Sequence, residues 1–440
     1  MGKHTLTGML TANGQQFMDW SPAYRLFSKQ RVDTSKLFEV ARSEVLQELG
    51  SEQMIVAHLD DTILKKTGKK IPGTAWRRDP LGPRFQTNFI WGQRFLQISL
   101  ALPDHHGCCQ SRAIPVDFHH CPTVKKPRKN AEEQDWKNYR EQQRKLKLSK
   151  QGVERVIQLR NDLDKQGAIG KQLIVSVDGS YTNEQVLKNL PEGVTLIGRI
   201  RKDSKLYSPP ENQSGKGRKR FYGERLPTPE EIRQSDQCPT QEVIAFATGK
   251  EHKFKVKVIK NVLWRSAGQK HKMQLVVIKP LGYRLTKKSK MLYREPAYLI
   301  CTDNELDLDK LLQSFLWRWE IEVNFREEKT VMGCGEAQVR NPESVVRIPA
   351  FISAVYALVH IAAYRYMKKS NCVMLPRPKW YLKKDNQRNS TGDILNNFRA
   401  QAYAKSIGMN FSGFVNQEIN SQSHKNFSNP ITSAMFYARN

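Results

Sequence analysis

Three stretches carry carboxylates in settings that cost free energy unless a charge compensates. The apolar run Met54 to Leu59 delivers the chain to Asp60-Asp61-Thr62, and the run Lys171 to Val177 (KQLIVSV) delivers it to Asp178-Gly179-Ser180-Tyr181. A carboxylate at the end of a buried strand must be paired, hydrogen-bonded or neutralised by a metal. Asp-Gly-Ser is also good turn chemistry, so either acid alone suits a turn or cap. The third stretch, Phe315 to Lys329 (FLWRWEIEVNFREEK), is helical in pattern. There Arg318, Glu322, Arg326 and Lys329 recur every three or four residues and share a face, as in an ion-paired amphipathic helix. Taken together, three acids of this kind suit hard, oxygen-liganded divalent cations.

A second constellation is His105, His106, Cys108, Cys109 and then His119, His120, Cys121. These types suit Zn²⁺. A straight strand between the clusters, at ~3.3 Å per residue, would hold them about 30 Å apart, which argues against one shared ion.

The elements that position these residues follow from periodicity. Leu37, Val40, Ala41, Val45, Leu46 and Leu49 recur at helical spacing and end at Gly50, so residues 1–50 read as a helical N-terminal domain. Met54–Leu59, Phe85–Leu102 and Ala113–Phe118 read as an antiparallel meander. A charged helical stretch from Lys125 to about Gly167 precedes two buried strands, Lys171–Val177 and Gly193–Ile200, with a short helix between them. The fold class is therefore α/β with a mixed sheet. Residues 202–302 interrupt it: first a basic Pro/Gly-rich loop (202–239), then a segment of period two that reads as a β-rich insertion. Helical spacing returns over 303–370, and 371–440 reads as a polar C-terminal arm.

The 440 residues hold 72 Lys plus Arg against 43 Asp plus Glu, a formal charge of +29 that favours a polyanionic partner. Its densest sites are Lys125, Lys126, Arg128 and Lys129, the loop cations Arg218, Lys219 and Arg220, and the alternating Lys253, Lys255 and Lys257. Lys125–Lys150 holds ten basic and four acidic residues, with Trp136 and Tyr139 interleaved. The longest mostly apolar run, Ile348–Ala363, falls short of the ~20 residues a spanning helix needs. No secretory signal pattern opens the chain, and seven cysteines suit a reducing cytosol.

Phe315-x2-Arg318-x3-Glu322-x6-Lys329 resembles the Y-x2-R-x3-E-x6-K signature of a class of bacterial insertion-sequence DDE transposases, with Phe in place of Tyr. The D-x-T of Asp60 to Thr62 and the D-G-x-Y of Asp178 to Tyr181 are similar to that family's first two acidic motifs. The resemblance spans roughly residues 50 to 365. It implies an RNase H-like core, 51–201 and 303–370, interrupted by the β insertion. It further implies that Asp60 or Asp61, Asp178 and Glu322 converge as catalytic residues and hold two Mg²⁺ or Mn²⁺ ions. Such ions, ~3.5–4 Å apart, activate a water or 3′-hydroxyl and stabilise the leaving oxygen. Arg318, Arg326 and Lys329 would hold DNA phosphates. Trp319 would stack on a displaced base, which suits hairpin closure of a transposon end, with Trp264, Tyr293 and Tyr298 as candidates for a second stacking platform. The expected activity is cut-and-paste transposition by a homodimer on paired ends of double-stranded DNA, in the bacterial cytoplasm. The rival readings are an idle DNA-binding protein and an RNase H-like nuclease without strand transfer.

Overall fold

The computed structural model describes residues 4–408, apart from 80–81, 84, 105–109, 212–218, 268–270, 287 and 371–387. Three helices open the chain: α1 (Leu6–Ala12), α2 (Ser21–Ser28) and α3 (Thr34–Leu49), the last capped by the Asp33 side chain. Four strands follow: β1 (Met54–Lys65), β2 (Ala75–Arg78), β3 (Phe89–Pro103) and β4 (Ser111–His120). Next come α4 (Glu133–Lys145), α5 (Leu148–Leu163), β5 (Gln172–Val177), α6 (Glu184–Leu187) and β6 (Val194–Arg199). The segment after Ile200 holds β7 (Leu206–Tyr207), α7 (Pro229–Gln234), β8 (Gln241–Ala247), β9 (Lys250–Trp264), β10 (Met273–Ile278), a small ribbon of β11 (Gly282–Tyr283) and β12 (Leu292–Tyr293), and β13 (Ala297–Cys301). Helices α8 (Leu308–Trp317), α9 (Trp319–Thr330), α10 (Pro342–Ser370) and α11 (Thr391–Ser406) complete it.

An eleven-stranded mixed sheet organises the molecule. β1 pairs antiparallel with β3, and β3 with β4, as the meander predicts; β1, β5 and β6 run parallel. This arrangement is consistent with an RNase H-like DDE fold. Apart from the β11–β12 ribbon, the strands of the 202–302 segment do not form a sheet of their own. β6 pairs antiparallel with β13, β13 with β10, and β10 with β9, so the insertion prolongs the core sheet. The reason is local: Leu299, Ile300 and Cys301 are apolar on both faces and fully buried, which suits an interior strand rather than a half-solvated one.

Burial ties the helices to the two sheet faces. Side chains alternate along β1, so Ile55, Ala57, Leu59 and Asp61 point one way and Val56, His58, Asp60, Thr62 and Leu64 the other. The first face packs on α5 and α6 through Val153, Val156, Leu159 and Val186. α8 lies over the second face, with Leu311 and Leu312 against Val56 and Ile174. α3 and α10 close the β4 edge; Ala41, Val45 and Leu49 of α3 share a core cluster with β1 and β3. Helices α1, α2 and α3 occupy most of residues 4–50, and α3 packs on the core.

Three further expectations change. Lys125, Lys126, Arg128 and Lys129 precede α4 in non-helical chain, all exposed. The supposed loop contains α7, fixed by a Thr228–Glu231 capping box. The arm contains α11, with a Ser390–Asp393 capping box. α10 contains the apolar run Ile348–Ala363, and by length and composition it could cross a membrane. Half of that apolar window is buried, and its Ser353 and His360 are bonded inside the protein.

The buried side of α9 carries polar groups beside Ile321 and Phe325. Asn324 donates to Ala113 O (2.9 Å), Tyr356 Oη donates to Glu327 Oε2 (2.7 Å), and Ser353 Oγ donates to Glu328 Oε1 (2.8 Å). The Gln97 amide, oriented to donate, reaches both Glu328 oxygens at 3.1 and 3.2 Å. Burial pushes the Glu328 carboxyl up to about 8, against the opposing pull of Ser353 and Lys329. A raised carboxyl holds a proton that the unfolded chain loses, so its contribution to stability falls as pH rises from about 4.5 to about 8. Denaturation midpoints measured across that range should show Glu328→Gln flattening the pH slope by about one proton relative to wild type. An unchanged slope would place the Glu328 proton elsewhere.

Candidate active site

The acids are held by sheet register. β1 does not end at Leu59 as the sequence suggested; it continues to Lys65 against β3, with Asp60 opposite Gln97 and Asp61 opposite Leu96. The parallel partner β5 ends earlier, at Leu59 opposite Val177. Continuing that register sets Asp60 beside Asp178, across one interstrand spacing of ~4.8 Å. Ser180 then turns the chain, with its amide and hydroxyl donating to the two Asp178 oxygens at 2.9 and 3.1 Å.

Alternation separates the adjacent pair. Asp60 lines a cleft of about 520 Å³ with Asp178, Arg318 and Glu322. Asp61 faces the other side, where Tyr181 Oη donates to its Oδ1 (2.8 Å) and Arg94 Nε lies 3.2 Å from its Oδ2. Tyr181 is fully buried under α5, and Gly152 makes this possible, since a Cβ there would come within 3.0 Å of the ring. The tyrosine of the second acidic motif thus braces the second acid of the first motif.

The predicted single helix is interrupted at Arg318, between α8 and α9. Its guanidinium bridges two acids, donating to Asp60 Oδ2 and Glu322 Oε1, both at 3.0 Å. Even so, burial and the charge of Asp178 raise the Asp60 carboxyl to about 7, with Arg318 opposing. His58, two residues earlier on the same face, adds no charge: burial, reinforced by Arg318, holds it down at about 3, and neither ring nitrogen has a partner. Burial thus outweighs the Arg318 charge at Asp60.

The other expected residues divide. Trp319 is 57% exposed, Arg326 is exposed and Lys329 half-buried, with burial lowering its ammonium. Trp264 lines the cleft, whereas Tyr293 lies exposed and Tyr298 is buried against Glu230. Lys219, Arg220, Lys253 and Lys255 are exposed; Arg218 lies outside the described residues. Lys257 is a correction. It is 1% exposed and donates to Ile232 O (3.1 Å) and Ser235 O, because α7 covers that face and its last carbonyls take the cation. Arg199 and Arg201 line the cleft opposite α9 and were not singled out from sequence, although GRIR closes a buried strand just as the acids do. His119, His120 and Cys121 are described, and the preceding His/Cys cluster lies outside the described residues.

Among the described residues no three His, Cys, Asp or Glu side chains converge tightly enough to form a finished metal site. The donor chemistry nonetheless fits a divalent cation: three carboxylates line one cleft, one of them raised chiefly by burial and further by the charge of a second.

Two acids on adjacent parallel strands of a mixed sheet, with a glutamate on a following helix, define a DDE-type arrangement. The model of the DDE superfamily endonuclease family matches residues 2–270, more than half of the chain. The chain belongs to that family. The matched span contains Asp60 and Asp178; Glu322 lies beyond it. No curated protein matches the chain. Membership makes DNA the substrate and metal-dependent cleavage the coarse activity.

Removing the Tyr181 hydroxyl should leave Asp61 short of a donor in a buried setting. Tyr181→Phe is expected to lose about 1–3 kcal/mol of stability, read by urea denaturation. Wild-type stability in this variant would mean that the Tyr181–Asp61 bond is not formed in solution.

Proposed function

We propose that this endonuclease is a cut-and-paste transposase that cleaves DNA at transposon ends and joins them to a target. The observation that carries this reading is the convergence of Asp60, Asp178 and Glu322 on one cleft with Arg318 at their centre. The Phe315/Arg318/Glu322/Lys329 spacing of insertion-sequence transposases supports it.

In this reading Asp60, Asp178 and Glu322 hold Mg²⁺ or Mn²⁺, and Asp61 positions Asp60 from behind. Bound ions supply an activated oxygen nucleophile and stabilise the leaving 3′-oxygen. The chain's own groups orient the DNA around that point. Arg318, freed from its carboxylates when they take cations, presents a bidentate fork to a phosphate; Arg326 and Lys329 extend the track along α9. Arg199 and Arg201 supply cations on the facing wall. Trp319, exposed at the rim, and Trp264, in the opposite wall, offer ring faces to bases displaced from the duplex. Lys125, Lys126, Arg128, Lys129, Lys219, Arg220, Lys253 and Lys255 hold flanking duplex by phosphate contacts, and two copies pair the ends.

The test combines two assays. With Mg²⁺ or Mn²⁺ and end-bearing DNA, Asp60→Asn, Asp178→Asn and Glu322→Gln should each lower cleavage by at least about 10³-fold, a loss of the size seen when a reacting group's charge stabilisation is removed. Asp61→Asn should retain far more activity. Equal losses at Asp60 and Asp61 would undo the assignment of the first ligand. Precleaved ends offered a target plasmid should give joined product; cutting without joining would leave a nuclease.

A further inference from the structure

At its N-terminal end β3 outruns β1. The ladder between them ends at Gly92 opposite Lys65, and among the described residues Phe89, Ile90 and Trp91 pair with β2 alone, as a two-stranded ribbon at the end of the sheet. Cross-strand partners share a face, so the pairs Trp76–Trp91 and Arg78–Phe89 set three aromatic rings and a guanidinium side by side. Trp91 is half-buried, and its Nε1 donates to Gly68 O (3.2 Å). Trp76 rests edge to face against it, with 5.5 Å between ring centroids, yet is 64% exposed; Phe89 is 61% exposed. A lone exposed ring needs no explanation, but a cluster of them marks a binding surface.

Charge says what covers it. Residues 65–91 hold seven Lys and Arg against one acid, Asp79. Asp79 lies 3.8 Å from Lys65, whereas Lys69, Lys70 and Arg78 are exposed and enter no ion pair among the described residues. Such a surface repels a second copy of itself and attracts a polyanion. It is also continuous with the cleft. The β3 register runs without irregularity from Gln97, opposite Asp60, to Phe89, so Trp91 and Phe89 stand on the same sheet face as Asp60. At ~3.3 Å per residue, Trp91 is roughly 20 Å along the strand from Gln97. Lys329, in the last turn of α9, lies close enough to Lys65 and Asp79 to feel both charges. Arg326, Lys329 and Lys65 therefore lead from the acids to the rings.

Open rings select the form of the polyanion. Stacking closes the base faces of a duplex, whereas an unpaired strand offers each base face to an aromatic side chain. We propose that the β2–β3 ribbon is a platform for single-stranded DNA, in which Trp76 and Phe89 stack on unpaired bases while Lys69, Lys70 and Arg78 hold the adjoining phosphates. Trp91 acts from beneath, holding the Trp76 ring in place and so reducing the ordering that binding requires. The strand it takes is one opened beside the cleavage cleft, about six nucleotides away at ~3.4 Å each. It rests on the reading of the chain as a DNA-acting enzyme.

The experiment measures binding of a short fluorescent oligothymidine, and of a blunt duplex, to the full chain without divalent metal. Trp76→Ala and Phe89→Ala should each weaken oligothymidine binding about tenfold, the loss of one stacked base. Trp76→Phe, which keeps a ring, should lose less. Duplex affinity should be the same for all three variants. Arg78→Gln should flatten the log–log salt dependence for oligothymidine by about 0.7. Melting temperatures should match wild type, because both rings are largely in water; were Trp76→Ala to melt early, Phe89→Ala and Arg78→Gln carry the same test.

Equal oligothymidine affinity for wild type, Trp76→Ala and Phe89→Ala would overturn the proposal. An equal loss on duplex would as well, since the ribbon would then grip a backbone rather than open bases. A sedimentation mass that falls from dimer to monomer in Trp76→Ala would assign the rings to a second copy instead. The transposase reading fails separately. Trp76-dependent oligothymidine binding by a wild type that neither cuts nor joins DNA keeps the platform and removes that reading. Cutting, with oligothymidine binding that ignores Trp76, removes the platform alone.

Discussion

The cleft is governed by the placement of Asp60 and Asp178 on neighbouring parallel strands, one interstrand spacing apart, where β1 outruns its partner β5. Two carboxylates so placed repel, and Asp60 is largely withdrawn from water; its carboxyl rises to about 7. Such a pair persists only if the fold brings positive charge to it. Arg318 meets that need in the structure by bridging Asp60 to Glu322. Arg318 stands between α8 and α9, so one side chain links the sheet to the helix bearing the third acid. A cation bound by the same carboxylates would satisfy the same electrostatic demand, which links Arg318 to any metal that enters.

The helix that carries Glu322 is held from behind by polar contacts as well as by buried Ile321 and Phe325. Glu320, Asn324, Glu327 and Glu328 lie on its inner face and are bonded to Arg388, Ala113, Tyr356 and Ser353. Thr391, at the start of α11, also donates to Glu327. Hydrogen bonds are directional where apolar packing is not, so this face fixes the rotation of α9 about its axis as well as its depth. Fixing the rotation aims Arg318 and Glu322 into the cleft. Arg388 and Thr391 therefore belong to the site's support.

What was legible in the sequence was what short-range patterning records. The apolar runs before Asp60 and Asp178 gave two neighbouring buried strands, and the three- and four-residue spacing gave the shared face of Arg318 and Glu322. Asp60 and Asp61 could not be separated by pattern, because β1 continues past both; only the β3 register shows which one faces α9. Contacts spanning long stretches of chain left no local trace. The Glu320–Arg388 pair, the capping of α7 by Lys257 and the joining of β13 to β6 each depend on segments brought together by folding. Lys257 shows the failure most plainly: the alternation of Lys253, Lys255 and Lys257 is real, but α7 covers the end of that face and turns the third cation inward. The Thr228-x2-Glu231 capping box was a readable signal for α7 that composition obscured.

The surplus of +29 thereby acquires a structure. Part of it is internal, spent on Arg318 between the acids, on Lys257 at the end of α7 and on Arg388 behind α9. Arg199 and Arg201 line the cleft, and further cations are exposed on the segment before α4 and on the outer face of β9. A polyanion approaching such a surface is drawn toward a centre that is itself negative. It can settle there only after the carboxylates are neutralised. Attraction by the periphery and repulsion by the centre make productive engagement depend on a cation at the acids, while binding by the periphery alone does not. That separation of binding from chemistry follows from where the charges sit, and it holds whichever bond the enzyme finally breaks.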